Sequence, residues 1–357
     1  MPNVTDRHNQ RITVMSENPS LPTFPSVEIL TVPSRERLST LVSDGRPVLI
    51  KGLVANWPAV AEALLGNAEI AAYLKDLDNG NPTTVLEANN MIKGRFAYGP
   101  DMSDFNFHKR LKTVSMGIDQ ILAAEAHPNP PYVYIQSTET KLHLPRFQAE
   151  NPCPVLPPAV APRIWISNAT RAQTHNDNEH NIACVVAGRR RFTLFPPEQL
   201  PNLYMGPMDH TPSGRAISLA SLEEPDFERF PKFAEALKHA QVADLEPGDA
   251  LYVPKYWWHH VQSLTTFNVL INYWWGNSAQ TLENPMAPFL AALVALKDLS
   301  SSDKAYWKSM FDHYIFQTDG DPVAHIPPAA HGGLGKPTAK NRAEILAELK
   351  KLMAGQG

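Results

Sequence analysis

From residue 132 onward the chain repeats one pattern: a short apolar or alternating run, then turn residues. The runs lie at 132–136, 163–166, 182–186, 191–195, 250–253 and 267–275. Side chains on a strand alternate between two faces, so a series of such runs predicts a β-sandwich or barrel. Before residue 131 the texture is mixed. Strands are expected at 27–32, 46–50, 83–86 and 95–98, and helices at 34–43, from 58, at 68–74 and at 118–126. Ser34 stands where a cap belongs, ahead of the stripe Leu38, Leu41 and Val42. A polar stretch at about 197–244 interrupts the strand series and carries one helical segment near 230–240. After Gly276 the pattern turns helical. Residues 288–299 are apolar enough to be buried, 304–316 are aromatic-rich, and 342–353 are amphipathic, with Ile345, Leu346, Leu349, Leu352 and Met353 on one side.

The predicted organisation is a flexible tail at 1–22, α/β elements at 23–130, a β core at 131–277 with an insertion at about 197–244, and a helical region at 278–357. The fold class is mainly β with flanking helices. Composition changes this picture little but excludes several functions. A net charge of −4 and a pI near 6.4 provide no basic footprint for nucleic acid. Cys153 and Cys184 are the only cysteines, which is no disulfide framework and fits a reducing cytoplasm. Residues 1–22 are polar and lack the apolar core of a signal peptide, and no apolar run is long enough to span a membrane. The 33 prolines argue for strands and loops over a helical bundle.

The chemistry concentrates at His175-Asn-Asp177 and at the distant Pro254-Lys-Tyr-Trp-Trp-His-His260. Two imidazoles and a carboxylate can hold a divalent ion on one side and leave its other positions open, the facial arrangement of non-haem Fe(II) oxygenases. No cysteine lies near the motif, which disfavours a closed structural zinc site. His175 and Asp177, two apart, share a face if both lie on a strand. Of the adjacent His259 and His260 only one can point inward. The spacing from Gly248-Asp249 and Pro254 is similar to the second cupin motif and favours His259.

Four blocks carry a wider resemblance: 46–58, 132–136, 175–197 and 248–274. In order and spacing they resemble the JmjC/cupin-like (cupin-8) Fe(II)/2-oxoglutarate oxygenases, in particular the group that includes the asparaginyl hydroxylase known as factor inhibiting hypoxia-inducible factor. The resemblance implies a double-stranded β-helix (jelly-roll) core, with Fe(II) on His175, Asp177 and His259. It implies 2-oxoglutarate and O2 as co-substrates and hydroxylation of a C–H bond with release of succinate and CO2. In that frame Arg190, where the asparaginyl hydroxylase has lysine, meets the far carboxylate of 2-oxoglutarate together with Tyr134. Asn181 and Asn272 lie along the co-substrate, and Gln136 and Trp274 line the substrate side. One departure stands out: the threonine three residues before the first ligand histidine is Ala172 here, with Thr170 or Thr174 as possible replacements. The resemblance also implies a protein or peptide substrate and a homodimer built by the C-terminal helices; the composition adds the expectation of no membrane and makes a nucleic-acid partner unlikely. The competing readings are a non-catalytic cupin that binds metal and a small acid or acts as a scaffold, and an RNA-modifying hydroxylase of the same fold.

Overall fold

The computed structural model describes residues 23–31, 34–276, 285–336 and 338–353. The expected tail at 1–22 therefore lies outside the described residues. Among the described residues there are fourteen strands: β1 Glu28–Thr31, β2 Val48–Lys51, β3 Thr83–Ala88, β4 Arg95–Phe96, β5 His108–Lys112, β6 Tyr132–Glu139, β7 Pro162–Ser167, β8 Arg171–His175, β9 His180–Ala187, β10 Arg190–Phe195, β11 Gln241–Leu245, β12 Ala250–Val253, β13 Trp258–Ser263 and β14 Asn268–Trp275. They form a nine-stranded sheet, in the order β1-β2-β12-β9-β14-β7-β6-β3-β5, and a five-stranded sheet, β11-β10-β13-β8-β4.

Period-two patterning explains how the two sheets face each other. Along β9, Ala183 and Val185 join Phe192 and Leu194 of β10, Leu251 of β12, Val261 of β13 and Leu270 of β14 in the space between the sheets. The alternate residues Ile182, Cys184 and Val186 face outward into a second cluster. Helices α1 (Arg35–Asp44), α2 (Pro58–Leu65), α3 (Asn67–Leu77) and α4 (Val114–Glu125) cover that outer face. The large sheet is thus buried on both sides, which is why β9 reads as a continuous apolar run. Each fully buried Ile or Val side chain there contributes about 1.5–3 kcal/mol by leaving water. The result is a mainly β jelly roll with flanking helices.

Between β10 and β11 the polar insertion includes a short helix, α5 (Phe233–Lys238), and packs on Phe195 and Trp258 of the small sheet through Leu203, Ala220, Leu222, Phe230 and Phe233. At the far edge of the large sheet, β5 pairs only with β3 among the described residues and consists of His-Lys-Arg-Leu-Lys, with all but Lys112 exposed. No apolar alternation marks it, so the pattern of the chain does not reveal it. The strands β8 and β11 are hidden for the same reason.

The described residues part into two compact units between Gly276 and Asn277. The C-terminal unit contains α6 (Met286–Leu296), α7 (Ser301–Phe311) and α8 (Ala339–Met353). The expectation that residues 288–299 are buried is not met. No residue of α6 is buried, and Phe289, Leu290, Leu293 and Val294 are exposed. Among the described residues no helix is long and apolar enough to cross a membrane.

The β9–β10 hairpin that delivers Arg190 turns at Gly188, whose φ is +71°. A Cβ there would lie 2.5 Å from the Phe267 carbonyl oxygen and 2.3 Å from Thr265 Oγ1. Backbone cannot yield as a flexible side chain can, and a positive φ is itself unfavourable for alanine. Gly188→Ala is expected to lower stability by about 1–3 kcal/mol, read as a lower urea midpoint with an unchanged slope.

Candidate active site

His175 ends β8 and faces His259 of β13, the two being register partners with ring centroids 4.4 Å apart. Asp177 lies two residues beyond the end of β8, so a shared strand face does not explain its position. Instead the turn before β13 holds it: the Tyr256 amide donates to the Asp177 carbonyl at 2.9 Å. One ligand atom from each of His175, Asp177 and His259 fits within 4.8 Å of the others, so the three can share a metal ion.

Both imidazoles are set up alike. His175 Nδ1 lies 2.7 Å from the Gln173 carbonyl oxygen and His259 Nδ1 3.0 Å from that of Trp257. A carbonyl only accepts, so each Nδ1 carries the hydrogen and each Nε2 is left as a lone-pair donor for metal. Desolvation, reinforced by His259, pushes the His175 imidazole down to about 4. It is therefore neutral and able to ligate at neutral pH. Asp177 is steered from two sides. Trp274 Nε1–H donates to Oδ2 at 3.1 Å, and Arg215 Nε lies 3.9 Å from Oδ1 while its Nη2 donates to Glu179 at 3.2 Å. Trp274, expected only to line the pocket, thus orients the Asp177 carboxylate. Arg215 comes from the insertion, where no motif pointed to it.

His260 faces the opposite side of β13, as the spacing argument required. Its Nε2 is 2.8 Å from Glu223 Oε1, which also accepts from Gln262 and lies 3.6 Å from Arg171 Nε. Burial alone would raise the Glu223 carboxyl, but the His260 hydrogen bond and charge, helped by Arg171, hold it down to about 2. A depressed carboxyl contributes stability above its ordinary value near 4.5 and loses it as pH falls toward 2. Glu223→Gln is therefore expected to lower the melting temperature at pH 7 and to flatten its decline between about pH 4.5 and 2. A variant curve parallel to that of the parent would contradict this assignment.

Inside the barrel Arg190 is 3% exposed, and neither its Nε nor its Nη2 has a partner. Burial draws this guanidinium down to about 10, opposed by nearby Tyr134. Trp165 Nε1 is likewise buried without an acceptor. Its ring meets Tyr134 at 5.8 Å and Trp274 at 6.1 Å. Asn272 Nδ2 donates to Asn181 Oδ1 at 2.6 Å, so these two hold each other on neighbouring strands. Beside His175 an open cleft is lined by Leu86, Phe96, Tyr134, Gln136, Ala172 and Gln173, and by Pro212, Ser213 and Ile217 of the insertion. The expected residues thus fall into the candidate ligand cluster of His175, Asp177 and His259 with Trp274, an Asn181–Asn272 pair, a buried Arg190 near Tyr134, and Gln136 on the cleft wall. Trp165, Gln173, Arg215 and Glu223 complete the surroundings and carry no signal in the sequence pattern.

A jelly roll whose interior brings two histidines and an aspartate close enough to share an ion has the candidate metal site of a cupin. The chain belongs to the cupin-like domain family, whose model matches residues 33–281, and so to the JmjC-type group that its motifs resemble. It is 38% identical over 112 residues to lysine-specific demethylase JMJ31 of Arabidopsis thaliana, covering 31% of this chain and 20% of that protein. It is 42% identical over 113 residues to human HSPB1-associated protein 1, covering 31% and 22%. A longer match reaches Jumonji C domain-containing protein 5 of Drosophila melanogaster, at 28% identity over 258 residues, covering 69% and 59%. The matched region spans about a fifth of the first two relatives' length.

Proposed function

We propose that this protein is an Fe(II)- and 2-oxoglutarate-dependent dioxygenase that hydroxylates a C–H bond of a protein side chain. The observation that carries this reading is the pairing, inside one barrel, of an open three-ligand set with a buried arginine that has unused donors. The donor types fit Fe(II), since nitrogen and carboxylate ligands on one side leave room for a chelating acid and O2. Bound Fe(II) supplies the oxidising chemistry: 2-oxoglutarate, O2 and R–H become succinate, CO2 and R–OH.

The chain's residues bind, orient and exclude water. His175, Asp177 and His259 hold the metal, and Trp274 and Arg215 fix the carboxylate. Arg190 offers a guanidinium fork to the far carboxylate of the acid, with Tyr134 beside it. Trp165 and Trp274 wall the interior against water, and Gln136 faces the cleft through which a peptide side chain enters.

The decisive experiment is succinate formation from 2-oxoglutarate with Fe(II), ascorbate and O2. Slow substrate-independent turnover by the parent, absent in Asp177→Ala, is expected. The alternative is a non-catalytic cupin that captures a small acid, favoured by Ala172, which brings no hydroxyl to the cleft. That reading stands if the protein binds metal and acid yet forms no succinate with or without candidate peptides.

The exposed apolar helix α6 supports a homodimer. Light scattering is expected to return twice the 39.6 kDa chain mass, and Leu293→Asp with Val294→Asp to return it to one.

A further inference from the structure

Strand β5, His108-Lys-Arg-Leu-Lys112, lies at the end of the nine-stranded sheet. Among the described residues its backbone pairs with β3 alone, so its other side keeps amides and carbonyls open. Such a row is a template for a further strand. The register with β3 sorts the side chains, since residues directly opposite share a face. Lys109 and Leu111 stand opposite Leu86 and Thr84, on the face where Leu86 lines the cleft. His108, Arg110 and Lys112 stand opposite Glu87, Val85 and Thr83, on the other face. Cations therefore border this edge on both sides. Glu87 pairs with Lys112, and Lys109 Nζ lies 5.2 Å from the centroid of the Phe105 ring.

We propose that β5 is a docking edge for an acidic, extended segment of a partner protein, which joins the sheet as an added strand. Three observations select that occupant. Lys109, Arg110 and Lys112 complement carboxylates directly opposite and disfavour a basic strand or a second copy of β5. The open amides and carbonyls match another peptide backbone, which a nucleic acid cannot reciprocate, and a chain of net charge −4 repels a long polyanion. Leu111, 76% exposed between two cations, offers contact to one apolar side chain. An antiparallel partner matched to this register reads Glu-Val-Glu-Glu-Glu, with valine opposite Leu111. Two strand spacings, about 10 Å, separate β5 from β6, whose Tyr134 and Gln136 line the cleft. A segment docked on β5 thus tethers its protein beside the cleft, whatever chemistry the cleft performs.

The test is fluorescence polarisation of a labelled peptide centred on Glu-Val-Glu-Glu-Glu, titrated with the full chain. Saturable binding is expected at low salt, weakening at least ~10-fold between about 0.05 and 0.5 M NaCl. Lys109→Glu with Arg110→Glu changes exposed side chains, and is expected to leave the melting temperature unchanged and to weaken the peptide at least ~10-fold. Two further peptides, N-methylated on one or the other alternate set of residues, keep every charge. Only one set faces β5 in an added strand, so one peptide is expected to bind ~10-fold weaker than the other. Absence of binding at low salt, or unchanged binding by the double variant, would overturn the proposal. Equal affinity for the two methylated peptides would do the same, leaving charge attraction without strand addition. Tighter binding of a single-stranded oligouridylate than of the peptide would assign the strand to nucleic acid instead.

Discussion

Alanine at His175, Asp177 or His259 is expected to abolish Mn(II) binding and to reduce succinate formation below ~1% of the parent, since two remaining ligands do not hold a divalent ion against water. The informative part is the graded series around the site. His260→Ala should keep the metal, because His260 faces Glu223 on the other side of β13. Trp274→Phe leaves all three ligands but removes the hydrogen bond to Asp177 Oδ2. Removing such an outer hydrogen bond typically costs about 10–100-fold in metal affinity or activity. Metal titrations across these variants would give a ladder: none bound, weakened, unaffected. Retention of metal by His259→Ala with its loss in His260→Ala would overturn the ligand assignment.

Arg190→Met is expected to separate stability from function. The guanidinium lies in the barrel with Nε and Nη2 unpartnered. Replacing a buried, poorly compensated charge with an apolar side chain of similar length is often neutral or stabilises by about 1–4 kcal/mol. The variant should therefore melt at the same temperature as the parent or higher when no acid is present. Methionine cannot reproduce a charge-assisted, two-pronged grip on a carboxylate, so 2-oxoglutarate binding should fall on the order of 100-fold. The rise in melting temperature that saturating 2-oxoglutarate gives the parent should disappear. A variant that melts lower and still binds the acid would show that Arg190 serves the fold alone.

Much of this architecture is legible in the residue pattern, for identifiable reasons. β9 and β14 are apolar because both faces of their sheet are covered, and β6 and β7 alternate or run apolar between turns. His175, Asp177 and His259 stand out because metal ligation restricts residue type, and the interval from Pro254 to His259 is set by one turn entering β13. Strand alternation lets only one of His259 and His260 point inward, and the spacing from Gly248-Asp249 and Pro254 selects His259. What stays hidden has physical causes too. Asp177 lies past the strand end, placed by a backbone hydrogen bond from Tyr256 that any residue could make. Arg215 and Glu223 belong to an insertion without periodicity that packs on the small sheet through Phe230 and Phe233, Arg215 meeting Asp177 and Glu223 meeting His260 on the other side of β13. Trp165 and Gln173 look like ordinary strand residues. Their interest appears only when the partners of every buried donor are counted in three dimensions. The exposure of α6 runs against expectation because an apolar sequence signals that a surface wants covering, without saying by which molecule.

The border formed by β5 has a colloidal consequence. Among the described residues the nine-stranded sheet ends there in an open row of amides and carbonyls, an invitation to fibrillar stacking between molecules. His108, Lys109, Arg110 and Lys112 line that row, and Glu87 neutralises only Lys112. Two such borders approaching each other bring cation against cation, so this rim is self-repelling even though the molecule as a whole is slightly anionic. Concentrated solutions at low ionic strength benefit most from this safeguard, and added salt weakens it.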